Sequence, residues 1–356
     1  MEVKEHRFPY EWNLKDAHFT KDKGKVFSCF ACGGGSTMGY KLAGFDVLGC
    51  NEIDPKMIET YKLNHKPKYA YLEGIQTFKN RKDLPKELYN LDILDGSPPC
   101  SSFSMAGNRS KDWGKNKKFR EGQAEQVLDT LFFDFIDLAK ELKPKVVIAE
   151  NVKGLLQGNA IKYVKEIYKQ FDAAGYYCQH WLLDASKMGV PQRRERVFFI
   201  CLRKDLAKPF LVQKDMFTQV PKLDLNFNEN PILFEEIKNN IDFKQREKLN
   251  GSKLKHWLNA NSKNGRSYKT KNNTKFGFFY KCIMDRVCAT ITSGSEYAIS
   301  QSKHLLLDSE FIKIGSFPKD YDFNGNRVQY IIGMSVPPVM ISNIVTEIYE
   351  QWLNKL

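Results

Sequence analysis

From residue 25 to about 203, short apolar runs alternate with longer amphipathic ones, and few folds accept that rhythm. "KVFSCF", "FDVLGC", "LDILDG", "KVVIAE", "WLLDA" and "RVFFICL" have the length and near-continuous hydrophobicity of strands buried on both faces. Between them, "STMGYKLAG", "PKMIETYKLN", "EQVLDTLFFDFIDLAKEL" and "AIKYVKEIYKQFDAAG" have helical length and spacing. The alternation predicts an α/β fold: a doubly wound, mainly parallel sheet covered by helices. From about 205 to 285 the rhythm fails, and the chain becomes polar, rich in Asn and Lys, with isolated aromatics. Regular elements return near "RVCATITSG" (286–294). The tail "PPVMISNIVTEIYEQWLNKL" opens with prolines suited to a helix start and keeps an amphipathic period. The expected segments are therefore 1–204, 205–285 and 286–356, the last rejoining the first.

No apolar run approaches a membrane span in this reading, and the charged start "MEVKEHRFPYEWNLKDAHFTKDKGK" lacks a signal-peptide core. A cytoplasmic location without membrane contact is expected. Eight cysteines are scattered, several inside strand-like runs, which suits free thiols in a reducing compartment. Cys29 and Cys32 have CxxC spacing, but no second pair or nearby histidine completes a zinc site, so no metal is expected.

The net charge of +13 favours a polyanionic partner, although a Lys- and Asn-rich proteome would also raise it. Its placement is more informative. Residues 241–281 hold eleven basic residues, Arg246, Lys253, Lys255 and Lys281 among them, against Asp242 and Glu247, giving +9 of the total. Trp257, Tyr268, Phe276, Phe278, Phe279 and Tyr280 are interleaved, a composition suited to phosphate contacts around a small core.

In open parallel sheets ligands bind beyond the carboxyl ends of strands. "FACGGGS" (30–36) follows the first strand, Glu52 the second, Cys100 of "DGSPPCSSFSMAG" another, and Glu150 the strand "KVVIA". All four should converge on one rim. Gly33, Gly34 and Gly35 allow a tight turn and close approach to a ligand. They do not fit GxGxxG, since Met38 stands three after Gly35. A Gly-rich turn with a carboxylate after the next strand suits a nucleoside cofactor, either a dinucleotide or S-adenosylmethionine. Pro98 and Pro99 would fix the backbone that presents Cys100, where an isolated cysteine is ordinarily an inert small hydrophobe. Glu150 leaves an apolar strand, so desolvation should favour its protonated form. Asn151 can hydrogen-bond to a neighbouring loop. Arg194 and Arg196 alternate at a strand entry and should point to one side, beside that carboxylate.

The order FxxxGG, NExD, PPC, ENV, QRRER resembles the cytosine-C5 DNA methyltransferase family of prokaryotic restriction-modification systems, over essentially the whole chain. The resemblance implies a Rossmann-like methyltransferase sheet (1–204), a smaller irregular target-recognition domain (205–285), and a segment (286–356) returning to the catalytic domain. It implies S-adenosylmethionine as cofactor, held by Phe30, Ala31, Gly33, Gly34, Gly35, Glu52, Ile53, Ile75, Pro99 and Leu131. Cys100 would add to C6 of a cytosine flipped from duplex DNA, and Glu150 would hydrogen-bond N3 and the exocyclic amine. Arg194 and Arg196 would bind O2 and the backbone, and Asn151 would brace the Cys100 loop. A monomer is expected, with a companion restriction endonuclease on the same site as a further partner.

The chain departs from the family pattern at Cys32, often glycine, and at Met334 in "GMSV", where "GNSV" is usual. At Gly74 in "LEGI" the family carries an aspartate near the cofactor adenine, and Gln76 or Glu73 could substitute. Two alternatives stay open: an RNA (tRNA) cytosine-C5 methyltransferase of the same family, and a non-catalytic nucleic-acid-binding module.

Overall fold

The apolar runs form strands because each is flanked by a turn and too short for a helix, and because both of its faces find cover. The structure, a computed structural model, describes residues 5–99, 116–117, 126–127, 130–158, 160–215, 218–241, 243–260 and 279–356. Seven strands make the main sheet: β1 (Lys25–Cys29), β2 (Asp46–Glu52), β3 (Tyr69–Leu72), β4 (Ile93–Gly96), β5 (Val146–Val152), β6 (Tyr176–Asp184) and β7 (Glu195–Arg203). Their order is β3-β2-β1-β4-β5-β7-β6. The pairs β3/β2, β2/β1, β1/β4 and β4/β5 are parallel, and β5/β7 is antiparallel. The expected doubly wound, mainly parallel α/β sheet is present.

One face of the sheet, with Phe27, Leu94, Val147, Val197 and Phe199, packs on Phe132, Phe135, Leu138, Ile167 and Phe171. These last come from helices α3 (Leu131–Leu142) and α4 (Ala160–Ala173). Helices α1 (Gly35–Leu42) and α2 (Pro55–His65) follow β1 and β2. Asp54 caps α2 by accepting from Lys56 N at 2.9 Å and Met57 N at 3.3 Å, with Pro55 at the first helical position.

The chain forms two compact units. The sheet unit comprises residues 18–183, 195–226 and 342–356; the second comprises 1–17, 184–194 and 227–341. These units do not follow linear boundaries at 204/205 and 285/286. Within the sheet unit the C-terminal stretch packs on α1 and its successor: Ser342 Oγ donates to Gly39 O (3.1 Å), and the Tyr349 ring meets Phe45 edge-on at 6.1 Å. Trp352 is fully buried, with Nε1 donating to Lys222 O at 2.7 Å.

In the second unit Phe279–Cys282 pairs with Glu296–Ile299 in parallel, and Gln192–Arg193 pairs with Cys288–Ala289. Helix α5 (Gly251–Asn259) lies against the first pair through Leu254 and Trp257, which pack on Leu249, Phe279 and Ala298. The N-terminal arm is fastened to this unit. Trp12 Nε1 donates to Ser316 O at 3.0 Å, Leu14 N and Lys15 N donate to Asp320, and Lys319 pairs with Glu11.

Three expectations need correction. The edge strand β3 was not expected. The helix expected over 125–142 begins at Leu131, because the backbone of Gln126–Val127 pairs with Asn116–Lys117 and its hydrogen-bonding groups are taken. Finally, Val328–Lys355 is apolar and long enough to cross a membrane by length and composition alone, but 83% of its most apolar window is buried inside the protein. A core helix needs that composition for packing.

Candidate active site

The parallel pairings align four strand ends in one row. Cys29 stands opposite Asn51 and Gly96, and Gly96 opposite Ala149. The next residues, Phe30, Glu52, Ser97 and Glu150, therefore sit side by side at the carboxyl rim. Four segments spread between residues 30 and 150 of the chain reach one edge through sheet register alone.

The turn after β1 is bent by three left-handed residues, Phe30 (φ 54°), Cys32 (φ 48°) and Gly34 (φ 86°). The glycine run explains only the last, since a side chain normally disfavours this region. At Cys32 a carboxylate holds the backbone. Glu52, nearly buried, accepts from Cys32 N (2.7 Å), Ile53 N (2.8 Å) and Asp54 N (2.9 Å). Burial pushes its pKa up, and the amide bonds oppose that rise. A Cβ on Gly34 would lie 2.2 Å from His65 Nε2, so backbone there passes where no side chain fits. Ala31, Gly33, Gly35, Ile75 and Leu131 are buried, and Ile53 and Pro99 are half-buried.

At Gly74 the two suggested substitutes differ. The Glu73 carboxylate is paired with Arg81 Nη1 at 2.8 Å. The Gln76 Oε1 instead lies 2.9 Å from the position a Cβ on Gly74 would take, with Ile53 Cδ1 at 3.6 Å.

Glu150 ends the apolar part of β5 with Oε1 2.8 Å from Arg196 Nε, both largely buried. Burial pulls the Arg196 pKa down while Glu150 opposes it. The carboxyl thus meets a guanidinium as well as the desolvation expected from its strand. Beside it, Asn151 Nδ2 donates to Pro98 O at 3.1 Å, and its Oδ1 accepts from Val152 N at 2.8 Å. The prolines before Cys100 are therefore held from β5. Cys100 itself lies outside the described residues.

Arg194 does not share the setting of Arg196. It lies between the Gln192–Arg193 pair and β7. Its guanidinium is buried in the second unit and donates to Ile291 O (3.0 Å) and Gly333 O (3.1 Å). The "GMSV" turn is thus anchored by Arg194 through a carbonyl, which the side chain of Met334 does not alter.

The basic segment is also partly inward. Arg246 and Glu310 form a bidentate pair at 2.7 and 2.8 Å with both side chains fully buried. Lys253 pairs with Glu247 and Glu296, and the Lys281 ammonium sits 4.0 Å from the Trp257 ring centre. Tyr280 stacks on Tyr297 at 5.1 Å. The rest of the aromatic and basic run, 261–278, lies outside the described residues.

Sequence reasoning passed over one group here. Asp95 on β4 is 2% exposed and accepts from Ser28 Oγ (2.7 Å) and Tyr40 OH (3.1 Å). The signal was present: an acid inside the apolar run "LDILDG". Among the described residues no group of three His, Cys, Asp or Glu side chains could hold a metal, and the seven cysteines there are free thiols.

A family model for C-5 cytosine-specific DNA methylase matches residues 24–350. The Type II methyltransferase M.FnuDI of Fusobacterium nucleatum is 38% identical over 183 residues, 51% of this chain and 48% of that protein. M1.HphI of Haemophilus parahaemolyticus, also a Type II methyltransferase, is 28% identical over 339 residues, 92% of this chain and 87% of that one. The matched part spans about half the length of M.FnuDI and 51% of M.NgoPII of Neisseria gonorrhoeae. Among solved structures, Spodoptera frugiperda DNMT2 shares the fold with a TM-score of 0.61 at 20% identity, covering 91% of this chain and 99% of that one.

Proposed function

The chain belongs to the C-5 cytosine-specific DNA methylase family, and from that premise we propose that it is a DNA (cytosine-5-)-methyltransferase using S-adenosylmethionine. The observation that carries this reading is the register row Cys29–Asn51–Gly96–Ala149. It sets the left-handed turn, Glu52, the Ser97–Pro99 segment and Glu150 on adjacent strand ends.

The residues fit the cofactor. Glu52, with three of its roughly four acceptor sites on amides, keeps one for a ribose hydroxyl. Gln76, over the bare Gly74, offers a donor and an acceptor to an adenine edge, whereas Glu73 is engaged by Arg81. S-adenosylmethionine supplies the methyl group that the activated C5 takes.

The protein's own residues do the rest. Cytosine C5 is a poor nucleophile until something adds at C6. The Cys100 thiolate forms that S–C6 bond, and the displaced electron pair moves onto C5 and N3. Glu150, oriented by Arg196, hydrogen-bonds N3 and the exocyclic amine and neutralises the charge that develops there. After methylation the C5 proton leaves, its electrons reform the C5–C6 double bond, and the thiolate departs. Asn151 keeps Pro98, and so the nucleophile segment, in place. A stacked base cannot reach these groups, so the target is flipped from the duplex.

We infer further that residues 205–285 take part in choosing the target sequence, in a cytoplasmic, nucleoid-bound protein. Grafting 205–285 into a methyltransferase of known specificity should change the methylated site; an active chimera that keeps the host's target would refute this. For the reaction itself, a duplex carrying 5-fluorocytosine should trap the wild type covalently, because fluorine blocks the final elimination, and Cys100→Ser should lose both trapping and methylation while binding DNA. Undiminished trapping by Cys100→Ser would overturn the assignment. Methylation of tRNA with none of DNA would overturn the substrate.

A further inference from the structure

We propose that Asp95, with Ser28 and Tyr40, is a positioning residue for methyl transfer: one buried carboxyl that ties the cofactor turn to the strand launching the nucleophile segment. The inference rests on the functional reading above. Ser28 and Asp95 are register partners on β1 and β4, with Ser28 Oγ donating to Oδ2 at 2.7 Å. Tyr40 OH donates to Oδ1 at 3.1 Å from α1, the helix that begins at the glycine turn. All three side chains belong to residues no more than 2% exposed.

The position in the chain is the argument. Ser28 stands two residues before the left-handed Phe30, and Tyr40 five after Gly35, so the two hydroxyls bracket the whole turn. Asp95 stands three residues before Pro98, whose carbonyl Asn151 holds. Between them Gly96 is pressed against Phe135, where a Cβ would lie 2.6 Å from the ring. The segment leading to Cys100 is therefore fixed at Asp95, Gly96 and Pro98, and the first of these fixings is shared with the cofactor turn.

An acid is an expensive way to hold a strand. Among the described residues, the titratable groups that act on Asp95 or feel its charge are Tyr40 on α1, Cys29 on β1 and Glu150 on β5, with no Lys or Arg. Burying a carboxyl costs stability, and burial has pushed its pKa up to about 7. Its two protonation states also differ in geometry. The carboxylate accepts both hydroxyls, whereas the acid must place its own proton on one of them and reverse that bond. A purely structural site would be served by an amide or an apolar side chain.

The test uses the full chain and the variants Asp95→Asn, Ser28→Ala and Tyr40→Phe. Melting temperature, calorimetric affinity for S-adenosylhomocysteine, and single-turnover methylation of duplex DNA between pH 6 and 9 are read for each. Asp95→Asn should stay folded, lose about tenfold in single-turnover rate and lose a pH-dependent limb that the wild type shows near neutrality. Ser28→Ala and Tyr40→Phe should each give part of that loss, with no further loss in the Asn background. Asp95→Asn at the wild-type rate with the wild-type pH profile would overturn the proposal. So would losses that track only the unfolded fraction in all three variants. A wild type that binds no S-adenosylhomocysteine and methylates nothing would instead bring down the functional reading, and this inference with it.

Discussion

Two regions of this protein are rich in charge, and they use it in opposite ways. At the sheet rim the charged groups are few and each is given a place by strand register: Glu52 on three amides, Glu150 on Arg196. In the basic segment the charges are many, yet Arg246 is turned wholly inward onto Glu310, and Lys281 lies on Trp257. A motif at a strand end keeps its meaning because the sheet fixes where it points. A run of lysines and arginines has no such frame, so its total charge overstates what faces a polyanion.

Variants can break or sharpen this contrast. The largest effect should come from the rim: Glu150→Gln, which keeps an acceptor for the largely buried Arg196, is expected to lower single-turnover methylation by roughly 10²–10⁴-fold, the range for a positioned acid–base group, with little change in melting. A loss below tenfold would separate Glu150 from the reaction. In the second unit Arg246→Met should act on stability instead. It leaves Glu310 buried without its partner, at a cost of about 3–5 kcal/mol by denaturant titration, while Arg246→Met with Glu310→Leu should recover much of it. An unchanged midpoint, accompanied by weaker DNA binding, would return Arg246 to the DNA-facing set.

Asp95 gives a slope rather than a collapse. The folded chain holds its proton up to about 7, the unfolded chain only to about 4. Its contribution is complete below the unfolded value and is lost as pH rises toward about 7, so Asp95→Asn should flatten the fall in stability across that window. Parallel slopes for the two proteins would contradict this. Asn151→Ala should cost about 1–3 kcal/mol in transition-state stabilisation through the freed Pro98 carbonyl, read as kcat/KM at fixed fold. The smallest effect belongs to exposed Lys255 on α5: its replacement by alanine should weaken all duplexes alike and reduce the salt slope by about one unit. Unaltered salt dependence would take α5 off the DNA.

Much of the sheet was legible because its strands are buried on both faces and bounded by turns. β3 was not, since "YAYL" is four residues long and only half-covered at the sheet edge, leaving no apolar run to read. The rim residues were legible by position, as strand ends in a parallel sheet converge. The carbonyls that Arg194 meets were not legible, since they lie 97 and 139 residues away in the chain, and Arg246 was misread because charge in a sequence carries no sign of burial. Phe30 and Cys32 take left-handed backbone that neither residue type advertises, and the contact from Glu52 that accompanies it reaches Cys32 from another strand end.

The interleaving of the two units also orders the assembly of the molecule. Ribosomal synthesis delivers the seven strands well before Ser342–Leu356, and the whole of 227–341 emerges in between. The nascent sheet therefore waits with the surface that Ser342, Tyr349 and Trp352 will cover still bare. A loop that long adds only a logarithmic entropy cost to the final docking. The cost in exposure is larger, since an uncovered apolar face in a half-made chain invites aggregation. The docking of one C-terminal helix is thus the event that completes the sheet unit, and a ribosome-bound chain lacking it should be the species most dependent on chaperones.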